Sequence, residues 1–215
     1  MRILDLDLDF FMRGRVRWVE EERPSLSEVQ PWTDTEVVEY IKNNLGIDYQ
    51  IPLHVVDTHD EALHIWKDLD KPFEVVHVDA HSDLGMDDSY KHIMTDFWRT
   101  QEVKNLTEGN YLIYAIAMGW VKKLVYVGHT CDVPVMYKGR NSLQIHRCKK
   151  GNLSKHWKKL TEAIKVEIPF KYVSYSKYIN TQRFDCVILS RSERYVPVEA
   201  DRLVGLLLQS IVERF

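Results

Sequence analysis

Cysteine is scarce in this chain and nowhere paired. Cys131, Cys148 and Cys186 are the only three in 215 residues, odd in number and far apart, with no C-x-x-C. That excludes a disulfide framework and gives no sign of a zinc knuckle. Charge of one sign is also lacking: 29 Lys and Arg against 32 Asp and Glu leave a formal net charge of -3. No electrostatic footprint for nucleic acid or for an anionic membrane is expected from that balance. The local basic clusters, Lys149-Lys150 and Lys155 to Lys159, read as solvated faces. No apolar run approaches bilayer length, and three aspartates follow Arg2 closely, so neither a membrane span nor a signal peptide is expected. A reducing cytoplasm is the expected compartment. No internal repeat, low-complexity tract or linker-like shift divides the sequence, so residues 1–215 are expected to form one domain. The 45% hydrophobic and 28% charged content is that of an ordinary protein with a core.

The most informative stretch runs from Phe73 to Gly85, Phe-Glu-Val-Val-His-Val-Asp-Ala-His-Ser-Asp-Leu-Gly. Apolar and β-branched residues up to Val78 suit a buried strand. Asp79, His81 and Asp83 then come at every second position, which on an extended backbone turns all three to one side. Carboxylates at the end of an apolar strand are costly without positive charge between them. A divalent metal is the simplest partner for that mixture of oxygen and imidazole donors. A turn capped by Asp79 or Asp83 is the plainer alternative.

A second acidic stretch opens the chain. Ile3 to Phe11 alternates strictly, with Leu4, Leu6 and Leu8 on one face and Asp5, Asp7 and Asp9 on the other. Three aspartates without an interleaved cation repel one another unless a metal or basic group lies near. A D-x-D ending a first strand also opens the haloacid-dehalogenase phosphatases, but Phe10 and Phe11 stand where that family expects Thr or Val.

The remaining segments predict an alternation of strands and helices. Met12 to Pro31 is charged and aperiodic, a long loop of the kind that forms lids. Thr33 with Glu36 reads as a capping box for a helix carrying Val37, Tyr40, Ile41 and Leu45, with Gly46 at its end. Ile51 to Val56 is a strand that leads to His59, followed by a helix with Leu63 and Trp66 inward. Gly109 to Gly119 is helix-like, with Glu108 and Asn110 just before its apolar run. Lys123 to Val127, Phe170 to Tyr175 and Phe184 to Leu189 are further strands, and a last helix buries Leu203, Leu207 and Ile211. Met86 to Val103 and Cys131 to Lys159 carry no clear pattern. Strands that end in polar residues, with helices between them, predict an α/β fold. Its sheet is mainly parallel and flanked by helices, with its site beyond the strands' carboxyl ends.

Asp79-Ala80-His81-Ser82-Asp83 matches the D-A-H-x-D motif of the arginase and ureohydrolase superfamily. Asp7-Leu8-Asp9 resembles that family's D-x-D, and His59 in Val-Asp-Thr-His resembles the histidine of its G-G-D-H. The order here is permuted, with D-x-D first. Together with Leu-Asp-Leu-Asp-Phe-Phe near the start and Leu-Ser-Arg-Ser-Glu-Arg-Tyr-Val-Pro near the end, the chain is similar to peptide arginases. Those enzymes convert arginine to ornithine in ribosomally made peptides.

The resemblance implies an arginase-like fold and two Mn2+ ions per chain, held by Asp7, Asp9, His59, Asp79, His81 and Asp83. Asp83 is expected to bridge them and Asp5 to stand behind them. It further implies Glu193 as the guanidinium-binding carboxylate. Asn110 is read as a second substrate contact, and His92 and His129 compete as the acid that protonates the leaving amine. The expected partner is a precursor peptide, with a homo-oligomer possible and no nucleic acid or membrane. An agmatinase-like hydrolase of small guanidines and a non-catalytic metal-binding protein are the alternative readings.

Overall fold

The computed structural model describes residues 1–14, 16–17, 22–85, 92–94, 106–129, 139–148 and 164–212. In chain order its elements begin with β1 (Arg2–Asp7), the short strands β2 (Met12–Gly14) and β3 (Val29–Pro31), and α1 (Asp34–Asn43). Next come β4 (Leu53–Val56), α2 (Ala62–Trp66), β5 (Phe73–Asp79), β6 (His92–Met94) and α3 (Tyr111–Ala117). The chain continues through β7 (Val121–Gly128), β8 (Ser142–Cys148), β9 (Ile164–Ser174), β10 (Cys186–Ser190) and α4 (Asp201–Val212).

Eight of the strands form one sheet in the order β4-β10-β1-β5-β7-β9-β8-β6. The six from β4 to β9 run parallel, β8 is antiparallel to β9, and β6 is parallel to β8. The chain is therefore α/β with a mainly parallel sheet flanked by helices, as its strand-and-helix alternation predicts. β1 lies inside the sheet between β10 and β5. After β1 the chain crosses to the β4 edge and then returns to β5 on the other side of β1. That reversal of direction beside β1 opens the crevice where sheets of this kind place their sites.

Alternation along the central strands supplies both faces of the core. Ile3, Val75 and Ile188 pack with Trp66, Tyr111 and Ile116 on the face covered by α2 and α3. Leu4, Leu6, Val76 and Val187 pack with Val37, Ile41, Leu203 and Leu207 on the face covered by α1 and α4. Strands buried on both faces read as near-continuous apolar runs, which is why β5 and β10 are so easily seen in the sequence. Each such large side chain contributes about 1.5–3 kcal/mol when fully buried.

Three expectations need correction. The first strand stops at Asp7, and Leu8–Phe11 forms a 3₁₀ turn instead of continuing the alternation. Met12 to Pro31 is not a free loop at its ends: β2 and β3 pair, and Arg23 is bonded to Val196 O, Pro197 O and the Asp201 carboxylate. The strand read as Phe170 to Tyr175 is longer and spans Ile164–Ser174. Trp18, most of 86–103 and much of 131–159 lie outside the described residues. Among the described residues no helix is long and apolar enough to cross a membrane.

The predicted capping box is present at α1. Thr33 Oγ1 accepts from Glu36 N at 3.3 Å, and Thr33 N donates to Glu36 Oε2 at 2.8 Å. Thr33→Ala should lower stability by about 1 kcal/mol in chemical denaturation, and Thr33→Ser should retain most of it. Equal midpoints for Thr33→Ala and the parent chain would show that α1 does not depend on its cap.

Candidate metal centre

Three strand ends deliver the acidic and imidazole side chains to one buried locus, and a fourth adds serine hydroxyls. β1 ends at Asp7, whose carboxylate caps the following turn by accepting from Asp9 N at 2.9 Å. That turn swings Asp9 toward β5, where Ala80 N donates to its Oδ1 at 3.2 Å. β5 ends at Asp79, whose Oδ1 accepts from His81 N at 2.6 Å. His59 opens a 3₁₀ turn just beyond β4 and is buried. Beyond β10, the Ser192 hydroxyl donates to Asp7 and lies 2.8 Å from the Ser190 hydroxyl.

Asp83 and Ser192 are the two non-glycine residues with positive φ, +49° and +43°, among the described residues. Left-handed backbone costs of order 1 kcal/mol or more outside glycine. Both instances fall at this one site, which is where such strain concentrates when function requires it.

His59 Nδ1 is the focus of the arrangement. It lies 3.0 Å from Asp7 Oδ2, 3.1 Å from Asp79 Oδ2 and 3.1 Å from Asp83 Oδ2. His59 Nδ1, Asp79 Oδ2 and Asp83 Oδ2 are nevertheless buried without a hydrogen bond of acceptable geometry. Donor atoms that crowd together without bonding one another suit a cation between them, since first-row and alkaline-earth ions sit about 2.0–2.6 Å from such ligands. His59, His77, Asp79 and Asp83 form one group that could hold an ion, and Asp9, Asp79 and His81 form a second. In the second group, His81 Nδ1 lies 2.8 Å from Asp9 Oδ2 and 3.7 Å from Asp79 Oδ1. Asp79 belongs to both, presenting one oxygen to each side.

Behind the cluster, Asp5 braces the imidazoles. Its Oδ1 is 3.2 Å from His59 Nε2, its Oδ2 is 3.0 Å from His77 Nδ1, and the Tyr111 hydroxyl donates to it. With Nε2 facing Asp5, the Nδ1 of His59 is left for the ligand side, the usual outer-carboxylate device for fixing an imidazole. Tyr111 also stacks on His59, with ring centroids 4.9 Å apart.

The electrostatics are severe without an ion. Burial and the neighbouring Asp9 charge push the Asp7 carboxyl up to about 6. Burial, then Asp9 and Asp83, drive Asp79 well above the ordinary carboxylate value. Burial alone would depress His81, but Asp9 beside it raises the imidazole to about 9. His59 is likewise raised, Asp5 overcoming its burial. Asp5 itself is lowered, because His59 and His77 outweigh its desolvation.

The six residues expected as ligands, Asp7, Asp9, His59, Asp79, His81 and Asp83, thus meet at one place, but not for the reason read from their spacing. Asp79, His81 and Asp83 do not lie on one extended strand. β5 stops at Asp79, and a bend with left-handed Asp83 brings the chain back. The same-face neighbour of Asp79 on the strand is His77, two residues earlier, and the sequence reading missed it. Its period-2 spacing from Asp79 was the available signal. Tyr111 and Ser192 were missed as well, and neither carries a comparable pattern. The residue common to both ligand groups is Asp79, where Asp83 was expected to bridge.

The expected substrate and acid residues are placed differently. The Glu193 side chain is 43% exposed and salt-bridged to Arg191. Asn110 is buried, and its Oδ1 accepts from Thr107 N at 2.9 Å, so it closes the turn before α3. His129 follows β7 and stacks on Tyr175 at 5.0 Å, edge-on to Phe10. His92 opens β6 at the outer edge of the sheet, separated from β5 by three strands, and its side chain is outside the described residues. The sequence matches no family model and no curated protein.

A metal-free preparation should lose stability as pH rises from 5 to 9. Asp7 and His81 both titrate higher folded than unfolded, so each contributes stability below its unfolded value that is lost as pH climbs through about 6 and about 9 respectively. Thermal melts in chelator test this, and a melting temperature that climbs steadily over that window would contradict it. Bound cations replace those protons, so Mn2+ should raise the melting temperature more at pH 8 than at pH 5.

Proposed function

We propose that the chain is a manganese-dependent hydrolase that converts arginine within a peptide to ornithine and releases urea. The observation that carries this reading is the pair of ligand groups hinged on Asp79 at the carboxyl ends of the parallel strands. Its donors are carboxylate oxygens and imidazole nitrogens with no sulfur, a set that suits Mn2+ better than zinc or copper. When bound, two such cations supply Lewis acidity and lower the pKa of water toward neutrality.

The chain's own residues hold the substrate and orient the reacting groups. A guanidinium stays charged and offers a planar fork of donors, so a carboxylate must meet it. We assign that role to Glu108 in place of Glu193. Glu108 is half-buried, and its carboxyl is raised by burial and by Asp60, Asp7 and Asp83, so a cation beside it is favoured. The Tyr195 hydroxyl donates to Glu108 Oε1 at 3.4 Å, and the Tyr195 ring lies 5.0 Å from that of His81. Glu108 and Tyr195 thereby form one wall beside the second ligand group. Asp5, His77 and Tyr111 keep His59 in a single orientation, which holds the reacting centre rigid.

A peptide suits this site better than free arginine. A free amino acid would need partners for its α-carboxylate and α-ammonium, since burying either alone is costly. Arg191, the cation nearest Ser192 along the chain, is already held by Asp57 and Glu193.

Urea release by manganese-loaded protein tests the reading, with an arginine-containing peptide, free arginine and agmatine compared at equal concentration. The peptide should be the best substrate. Glu108→Gln should lower kcat/KM by roughly 30- to 100-fold, the loss of about 2–3 kcal/mol from a charge-assisted pair, with metal content unchanged. Glu193→Gln should stay close to the parent. Faster turnover of agmatine than of the peptide would move the chain to the small-guanidine hydrolases, and no urea from any of the three would leave a metal-binding protein.

A further inference from the structure

A cavity of about 600 Å³ opens beside the metal cluster without belonging to it. Its walls include Trp32, Tyr40, Tyr175 and His129, with Arg13, Glu36 and Glu39 also lining it. The rings are inclined to one another. Trp32 and Tyr40 meet at 84° with centroids 5.7 Å apart, and Trp32 and Tyr175 at 55° with the same separation. Aromatic rings lining a cavity are the kind of surroundings that attract an organic cation.

The polar groups favour the same sign. Arg13 is salt-bridged to Glu36, so neither of those charges is left to a ligand. Glu39 lines the cavity from the exposed side of α1 and has no ion-pair partner among the described residues.

Position ties the cavity to the site. Phe10, next in the chain to Asp9, packs against Trp32, Tyr40, His129 and Tyr175. His129 and Tyr175 directly follow β7 and β9, so the cavity opens at the same carboxyl edge of the sheet as the metal ligands. A peptide chain is one ligand that suits both places.

We infer that this cavity binds the ammonium of a lysine-type side chain on a peptide, held by the Trp32, Tyr40 and Tyr175 rings and the Glu39 carboxylate. The inference builds on the proposed peptide substrate, where it means a second basic residue a few positions from the reacting arginine. An adjacent pocket of this kind adds binding energy that a free amino acid cannot use.

The test separates the two readings. Calorimetry on manganese-loaded protein compares acetyl-glycyl-glycyl-lysine amide with its norleucine counterpart, which keeps the chain length and lacks the charge. The lysine peptide should bind roughly tenfold more tightly, and Glu39→Gln should remove most of that preference without lowering the melting temperature. Equal affinity for the two peptides, or a preference that survives Glu39→Gln, overturns the inference. Neither peptide contains arginine, so the outcome does not depend on turnover. A lysine preference in a protein that releases no urea keeps the ammonium site and retires the hydrolase reading.

Discussion

Five carboxylates share one buried volume: Asp5, Asp7, Asp9, Asp79 and Asp83, none more than 5% exposed. Three imidazoles, those of His59, His77 and His81, lie among them, and among the described residues no lysine or arginine pairs with any of the five. Even with every histidine protonated, the acids would outnumber the cations. Burying unpaired charge costs several kcal/mol per ion, so two such ions would cancel much of the roughly 5–15 kcal/mol by which a domain is stable. The protein therefore either holds protons on its acids, as the raised Asp7 and Asp79 show for the ion-free chain, or holds cations.

The rest of the fold can be read as the means of gathering those groups. β1 lies inside the sheet because Ile3 on one face and Leu4 and Leu6 on the other serve both cores, and this places Asp7 where the strand order reverses. β4 sits beyond β10, yet the turn after it returns His59 to the end of β1. Strained backbone at Asp83 and Ser192 completes the ring of donors. Apolar packing of Trp66 and Tyr111 beneath His59 fixes the whole from below. The same sheet edge carries the cavity lined by Trp32, Tyr40 and Tyr175, whose rings pack on Phe10.

Much of this was legible in the sequence, and the reasons differ by residue. The apolar runs of β5, β7 and β10 and the capping box of α1 are local signals, strong enough to be seen without tertiary knowledge. The ligand types in Asp79-Ala80-His81-Ser82-Asp83 were legible as a cluster because unpaired acids beside a buried strand need an explanation. Their geometry was not, since a left-handed Asp83 leaves no mark in composition. His77 was overlooked inside an apolar run, although its spacing from Asp79 is that of a strand face. Tyr111, from a helix, and Ser192, from a distant loop, reach the site only through tertiary packing. Arg191 neutralises Glu193 next to it in space, a local pairing that position after a strand could not reveal.

The claim on which the account turns is that two cations sit in this cluster and share Asp79. Crystals grown with manganese, measured at the manganese absorption edge, test it without reference to any reaction. The account predicts two anomalous peaks flanking the Asp79 carboxylate, one beside His59 Nδ1 and the other beside His81 Nδ1. A single peak, or peaks only elsewhere on the molecule, would contradict it.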